Sequence, residues 1–353
     1  MAESSIISDQ KVEALEKKGM DRVTKVYVWD MDETLILLKS LLNGTYAQAF
    51  NGLKDVQKGM EIGRMWEKHI LQICDDLFFY EQIENYNKPF LDAMSQYDDG
   101  LDLSNYDFNQ DGFGPPSEDV NKRKLAYRHR TIANKYKQGL HNILDQEMIN
   151  VWEELYNLTD EYTDRWLSSG IWILYLLSPM TLYSHVFITL LLILSSVTNL
   201  ARAFLEQCSG RKEDPTHGLA SPDGIINHTD VKFEPINVLV TSGSLIPSLV
   251  KCLLFRLDNS IAHENVYSSW EVGKPQCFQW IKERFDGPNV HFCVIGDGWE
   301  ECEGAQAMRW PFVKIAMHPG GDHRFPGLTL RTLGYYFAVV YGDPDTENNE
   351  DES

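Results

Sequence analysis

Asp30 and Asp32 stand two residues apart, directly after the apolar run Val23-Thr24-Lys25-Val26-Tyr27-Val28-Trp29. In extended backbone, side chains two apart share a face. Two carboxylates so placed can divide a displacement between them: one attacks, the other gives and takes a proton. If the atom attacked is phosphorus, the carboxylates and the substrate are all anionic, and a cation is needed among them. Magnesium suits oxygen ligands and phosphate. Asp297, after another apolar run far along the chain, can supply a further carboxylate. A bare D-x-D at a strand end is more often a capped turn with solvated acids. The chemical reading therefore depends on what other elements deliver to the same place.

The run before Asp30 is β-branched and aromatic and reads as a buried strand. Similar runs occupy residues 236–240, ending at Thr241-Ser242-Gly243, and 290–295, ending at Gly296-Asp297-Gly298. A fourth spans 312–316. Helical patterns at 246–257 and 274–285 lie between the later strands. This alternation predicts an α/β fold with a parallel sheet covered on both faces. Ligands bind such sheets at the carboxyl ends of the strands, where this chain places acid, hydroxyl and acid. Residues 40–235 are too many for a loop. Helical patterns at 45–51, 59–76, 121–138 and 146–167 predict a mainly helical cap domain inserted after the first strand. Residues 97–116, with Gly100, Gly112, Gly114, Pro115 and Pro116, are its most loop-like part. The catalytic core is then 22–39 plus 236–340. A charged, helix-like tail precedes it over 1–21, and an acidic tail follows over 341–353.

The formal charge of -20 argues against direct binding of nucleic acid, whose phosphates would be repelled. The six cysteines form no C-x-x-C pair, so a structural zinc site is not expected. The first 21 residues are polar and charged, unlike a signal peptide. Reduced thiols in the cytoplasm or nucleus are the expectation. Thiol-based phosphatase chemistry needs an Arg six residues after a Cys, to cradle phosphate beside the thiolate. The residues six beyond the cysteines are Tyr80, Asp214, Asp258, Glu283, Trp299 and Met308, none of them Arg.

Asp30-Met31-Asp32-Glu33-Thr34 resembles the first motif, D-x-D-x-[TV], of the haloacid dehalogenase (HAD) superfamily. The later motifs have counterparts in order. The Ser or Thr ending a hydrophobic strand is Thr241 or, by preference, Ser242. The Lys is best matched by Lys274 in Gly273-Lys274-Pro275. The G-D-x-x-x-[DE] motif is Gly296-Asp297 with Glu301. More closely, Trp29-Asp30-Met31-Asp32-Glu33-Thr34 resembles the W-D-x-D-E-T signature of the Eyes absent family. Asp102-Leu103-Ser104-Asn105-Tyr106-Asp107-Phe108, Lys124-Leu125-Ala126-Tyr127-Arg128, Leu245-Ile246-Pro247 and Glu264-Asn265-Val266-Tyr267-Ser268 are similar to that family too. The likeness covers residues 22 to 340, apart from one apolar stretch.

The resemblance implies a HAD-like Rossmannoid core with a helical cap. It also implies a magnesium-dependent protein tyrosine phosphatase that works through an aspartyl-phosphate. Asp30 would be the nucleophile and Asp32 the general acid and base. Mg2+ would be held by Asp30, the backbone carbonyl of Asp32, and Asp297, with Glu301 or Glu300 in an outer role. Thr34, Thr241, Ser242 and Lys274 would bind phosphoryl oxygens. The partner would be a phosphotyrosyl protein. Two other readings stay open: a phosphatase of a small phosphorylated metabolite, and a transcriptional-cofactor-like binding module, since animal members are also coactivators. A pure scaffold needs none of the acids or Lys274.

The apolar stretch lies between Arg165 and Arg202, where no acidic or basic residue occurs apart from His185. Residues 171–197 are long enough to cross a bilayer as a transmembrane helix. A single crossing would put Ser242, Lys274 and Asp297 on the opposite side from Asp30. The expectation is therefore an insert, at 170–200, within a cap helix. With the insert removed, Trp166, Leu167, Ala201, Phe204 and Leu205 fall at relative positions 0, 1, 4, 7 and 8, a helical apolar stripe.

Overall fold

The computed structural model describes residues 23–178 and 234–342. The strand that leads to Asp30, β1 (Thr24–Trp29), is the middle strand of a five-stranded sheet of order β3-β2-β1-β4-β5. The others are β2 (Glu234–Thr241), β3 (Val266–Ser268), β4 (Val290–Gly296) and β5 (Phe312–Lys314). All pairings are parallel, as the alternation of strands and helices predicts. The three-residue edge strand β3 is too short to carry a periodic signal and was not expected. Trp29 lies opposite Leu239 on one side and Ile295 on the other. The register thus brings Asp30, the Thr241 end of β2 and Gly296-Asp297 to one edge of the sheet.

Side chains alternate between the two faces. Tyr27, Trp29, Leu239, Cys293 and Ile295 enter one core, and Val26, Val28, Val238, Val240 and Val294 enter the other. The first core also receives the cap helices α1 (Leu38–Leu42), α2 (Val56–Phe78), α3 (Asp119–Gln138), α4 (Gln146–Tyr162) and α5 (Trp166–Leu176). The helix α6 (Leu245–Leu254) lies within it, and α9 (Leu330–Tyr341) adds Leu333 and Phe337. The second core is closed by α7 (Lys274–Arg284) and α8 (Trp299–Met308). Helices after residue 40 and one face of the sheet thus share a core. Trp66 packs on Phe255 at 4.3 Å, Trp152 Nε1 donates to the Leu254 carbonyl, and Tyr136 donates to that of Ile261.

One local expectation needs correction. The helix over 146–167 is two helices, because Asp164 and Arg165 adopt left-handed φ of 56° and 68°. Asp160 stabilises the break: its carboxylate accepts from Ser168 N at 3.0 Å, at the start of α5. A second feature is the apolar stripe of α5. The structure completes it with Gly170, Ile173 and Leu174, all buried, at the same relative positions 4, 7 and 8. The carbonyls of Leu174 and Leu177 accept from Asn237 Nδ2 of β2. The first turns of the apolar stretch are thus part of the core. Residues 179–200 lie outside the described residues, as do 1–21, Ala201, Phe204 and Leu205, and the tail from 343. Among the described residues no helix is long and apolar enough to cross a membrane.

Candidate active site

Asp30 leaves the sheet where its N–H donates to the Ile295 carbonyl at 2.9 Å. The chain then turns back tightly. Leu35 N and Ile36 N both donate to the Met31 carbonyl, and Glu33 N donates to the Ile36 carbonyl. Glu33 takes a left-handed φ of 64° within this turn, and its Oε1 accepts from Ser40 N at the start of α1. The turn folds Thr34 beneath Asp30, where its hydroxyl donates to Asp30 Oδ2 at 3.0 Å. Trp166 Nε1 of α5 donates to the Thr34 carbonyl at 3.1 Å, so the cap helix helps hold the turn. Thr34 is fully buried. Its hydroxyl is engaged by the Asp30 carboxylate.

Lys274 reaches Asp30 from the opposite face. Gly273 has a φ of 78°, a conformation that favours glycine, and Pro275 sits in the first turn of α7 where no N–H partner is lost. The loop before it is fastened to β2 by Ser269, whose N–H and hydroxyl both donate to the Thr241 carbonyl. Lys274 is 2 % exposed; its Nζ donates to Asp30 Oδ1 at 2.5 Å and pairs with Glu301 Oε1. A buried ammonium needs such partners, because taking a charge out of water is costly.

Glu301 comes from the first turn of α8 and folds back over two glycines. A Cβ on Gly296 would lie 2.7 Å from Glu301 Cγ and 3.3 Å from Asp30 Cβ, and one on Gly298 would collide with Glu301 Oε2. Glycine at both positions is what lets the carboxylate approach Lys274. Glu301 Oε2 is buried without a hydrogen-bond partner among the described residues. The Glu301 carboxylate pairs with Lys274, a place consistent with the outer role expected of it.

Burial pushes the Asp30 carboxyl up to about 6, against the pull of Lys274, and the charges of Asp297 and Asp32 push the same way. Asp297 is likewise raised, chiefly by burial. Two mutually repelling carboxylates at one strand edge are a set that a divalent cation would relieve. Among the described residues no group of three His, Cys, Asp or Glu side chains is placed to hold a metal. Magnesium, however, commonly takes one or two carboxylates and fills its shell with water and substrate oxygens. Asp30, Asp297 and the Asp32 carbonyl could hold it in that way.

The remaining expected residues sit around this centre. Thr241 is buried, and its hydroxyl accepts from Gly243 N at 3.2 Å within the turn. Ser242 is exposed, with Oγ 3.5 Å from Glu300 Oε2. Asp32 is partly exposed, and both its oxygens accept from Lys251 Nζ, at 2.9 and 3.1 Å. Lys251 carried no motif. The available signal was that it is the single charged residue of the otherwise apolar helix α6.

The chain is 57 % identical to Protein phosphatase EYA of Arabidopsis thaliana over 331 residues, 94 % of this chain and 95 % of that protein. The chain belongs to the Eyes absent family. It is 30 % identical to human Protein phosphatase EYA2 over 88 % of this chain and 52 % of that protein. With Protein phosphatase eya of Drosophila melanogaster it shares 30 % over 83 % of this chain and 34 % of that protein. It thus spans nearly all of the plant protein but about half of the human one. No family model matches the chain. The sheet and its flanking helices are the HAD-like α/β fold expected for this family.

Proposed function

We propose that this Eyes absent family member is a protein tyrosine phosphatase that passes its phosphoryl group through Asp30. The observation that carries the reading is the setting of that carboxylate. It is buried at the end of the central strand, fixed by Lys274 on one oxygen and Thr34 on the other, with Asp297 beside it. An immobilised, desolvated carboxylate is prepared to attack. Asp30 forms a bond to phosphorus as the bond to the tyrosyl oxygen breaks, and Asp32 gives that oxygen a proton. Water then attacks phosphorus, Asp32 takes its proton, and the bond to Asp30 breaks to release phosphate. Lys274, held by Glu301, screens the charge on Asp30 and the phosphoryl group. Mg2+ bound by Asp30, Asp297 and the Asp32 carbonyl would neutralise phosphoryl oxygens and align them for in-line attack.

A protein substrate is supported by the family's names and by the open rim. Trp270 and Trp299 stand 67 % and 72 % exposed, four residues before Lys274 and two after Asp297. The cap helices are fastened to the sheet face and to the far end of α6, which favours a site left open for a polypeptide over one closed on a small metabolite. A panel of phosphotyrosyl peptides, phosphoseryl peptides and sugar phosphates tests the proposal. Phosphotyrosyl peptides should be hydrolysed with highest kcat/KM, chelation should stop turnover, and Asp30→Asn should abolish it without lowering the melting temperature. Turnover by Asp30→Asn would refute the nucleophile, and a preference for sugar phosphates would refute the substrate class.

A further inference from the structure

Lys251 lies 219 residues from Asp32 in sequence, yet its ammonium takes both oxygens of that carboxylate. Its side chain is 14 % exposed, and the residues on either side, Val250 and Cys252, are fully buried. An ammonium has only donors. With both oxygens engaged by one ammonium, the Asp32 side chain is held in a single orientation. The backbone of the turn after Asp30 is fixed by its own hydrogen bonds, but the Asp32 side chain reaches outward and is partly exposed. Without a partner it would sample several rotamers. Lys251 removes that freedom.

We propose that Lys251 is a positioning residue for the second half of the reaction. It holds the Asp32 carboxylate where it accepts a proton from the water that attacks the phosphoryl group on Asp30. The inference rests on the assignment of Asp32 as proton carrier made above. The bond formed is water oxygen to phosphorus, the bond broken is phosphorus to Asp30, and the proton goes to Asp32. A lysine serving only the carboxyl end of helix α6 would change stability and leave the reaction sequence untouched.

The test uses the full chain with magnesium and two aryl phosphates, p-nitrophenyl phosphate and phenyl phosphate. The ratio kcat/KM reports formation of the phosphoenzyme, whereas kcat includes its hydrolysis. Lys251→Met should lower kcat about 10- to 100-fold, equally for both substrates. It should leave kcat/KM for p-nitrophenyl phosphate, whose leaving group needs no proton from Asp32, within about threefold. A pre-steady-state burst of p-nitrophenol should appear as the phosphoenzyme accumulates. Lys251→Arg should recover most of kcat, and Lys251→Met should cause no further loss in an Asp32→Asn background. Inhibition by inorganic phosphate should be unchanged. The inference is overturned if kcat/KM for p-nitrophenyl phosphate falls in parallel with kcat and no burst appears, or if the loss persists without Asp32. It is also overturned if phosphate inhibition weakens, which would make Lys251 a phosphate ligand. Full kcat in Asp32→Asn would instead overturn the assignment of Asp32.

Discussion

Gly298 shows how finely the site depends on single atoms. It has no side chain, and the space is taken by Glu301 Oε2, whose partner oxygen holds Lys274. Gly298→Ala should displace the end of the Glu301 side chain, which can swing at little cost because it is flexible. Lys274 then loses one of its two anchors and its aim at Asp30. Displacements of about 1 Å can cost on the order of 100-fold in rate. The expected outcome is a fall of kcat/KM by at least about tenfold with a melting temperature close to that of the parent. Steady-state kinetics and a thermal melt on the same preparation check it. A large loss of stability would show instead that Glu301 cannot swing.

Among the elements, residues 97–116 have no regular helix or strand beyond their first residue, yet they are held firmly against α3. Arg128 is 1 % exposed and binds both oxygens of Asp111 at 2.8 and 3.2 Å, Gln82 Oε1 at 2.9 Å and the Phe108 carbonyl at 2.9 Å. Its guanidinium also lies over Phe113 at 4.3 Å. Breaking such a buried pair from one side costs about 3–5 kcal/mol, because the other charge is left unpaired. Arg128→Ala should therefore open this segment to limited proteolysis before the sheet unfolds. Helix α5 carries a different expectation. Deleting 170–200 replaces Gly170, Ile173 and Leu174 by Ala201, Phe204 and Leu205 at the same positions of the turn. Gly170 has room for a methyl, its nearest neighbours being 3.9 Å from a Cβ. Ile173 is fully buried, so phenylalanine there should cost about 1–3 kcal/mol through overpacking. The deletion variant should fold and retain activity with a somewhat lower melting temperature. An insoluble product would show that the deleted stretch is required for folding.

At the scale of the whole molecule, cap helices and sheet share one core, so a perturbation in the cap is felt in global stability. His129 of α3 is buried, and its Nδ1 lies 3.0 Å from the Leu91 carbonyl, to which the neutral ring donates. Burial lowers its pKa from the ordinary 6.5 to about 4. Below pH 6.5 the unfolded chain binds a proton that the folded one refuses. Stability from this group is present above that pH and is lost as pH falls toward about 4, by up to about 3 kcal/mol. His129→Asn retains a donor without the titration. The difference in unfolding free energy between parent and variant should thus move in the variant's favour from pH 7.5 to pH 4.5, as urea unfolding would measure. A constant difference would mean the imidazole is not buried neutral.

The sequence by itself determined the strands that end at Asp30, Thr241 and Asp297, the parallel sheet and the order of the reactive residues. These rest on local rules: side chains alternate along a strand, apolar runs of that length bury, and glycines mark the turns that follow. It also marked Lys274 through its place in that order. Only the tertiary structure decided that Thr34 supports Asp30 from below, that Glu301 serves Lys274, and that Lys251 takes hold of Asp32. These pairings depend on which rotamers meet once helices pack at particular distances, and no local pattern encodes that meeting. The stripe of α5 shows the same limit. Two stretches of the chain present apolar residues at the same helical positions, and hydrophobic periodicity cannot choose between equal candidates. The structure places Gly170, Ile173 and Leu174 in the core, where the carbonyls of Leu174 and Leu177 also serve the buried Asn237 amide, which had to find acceptors.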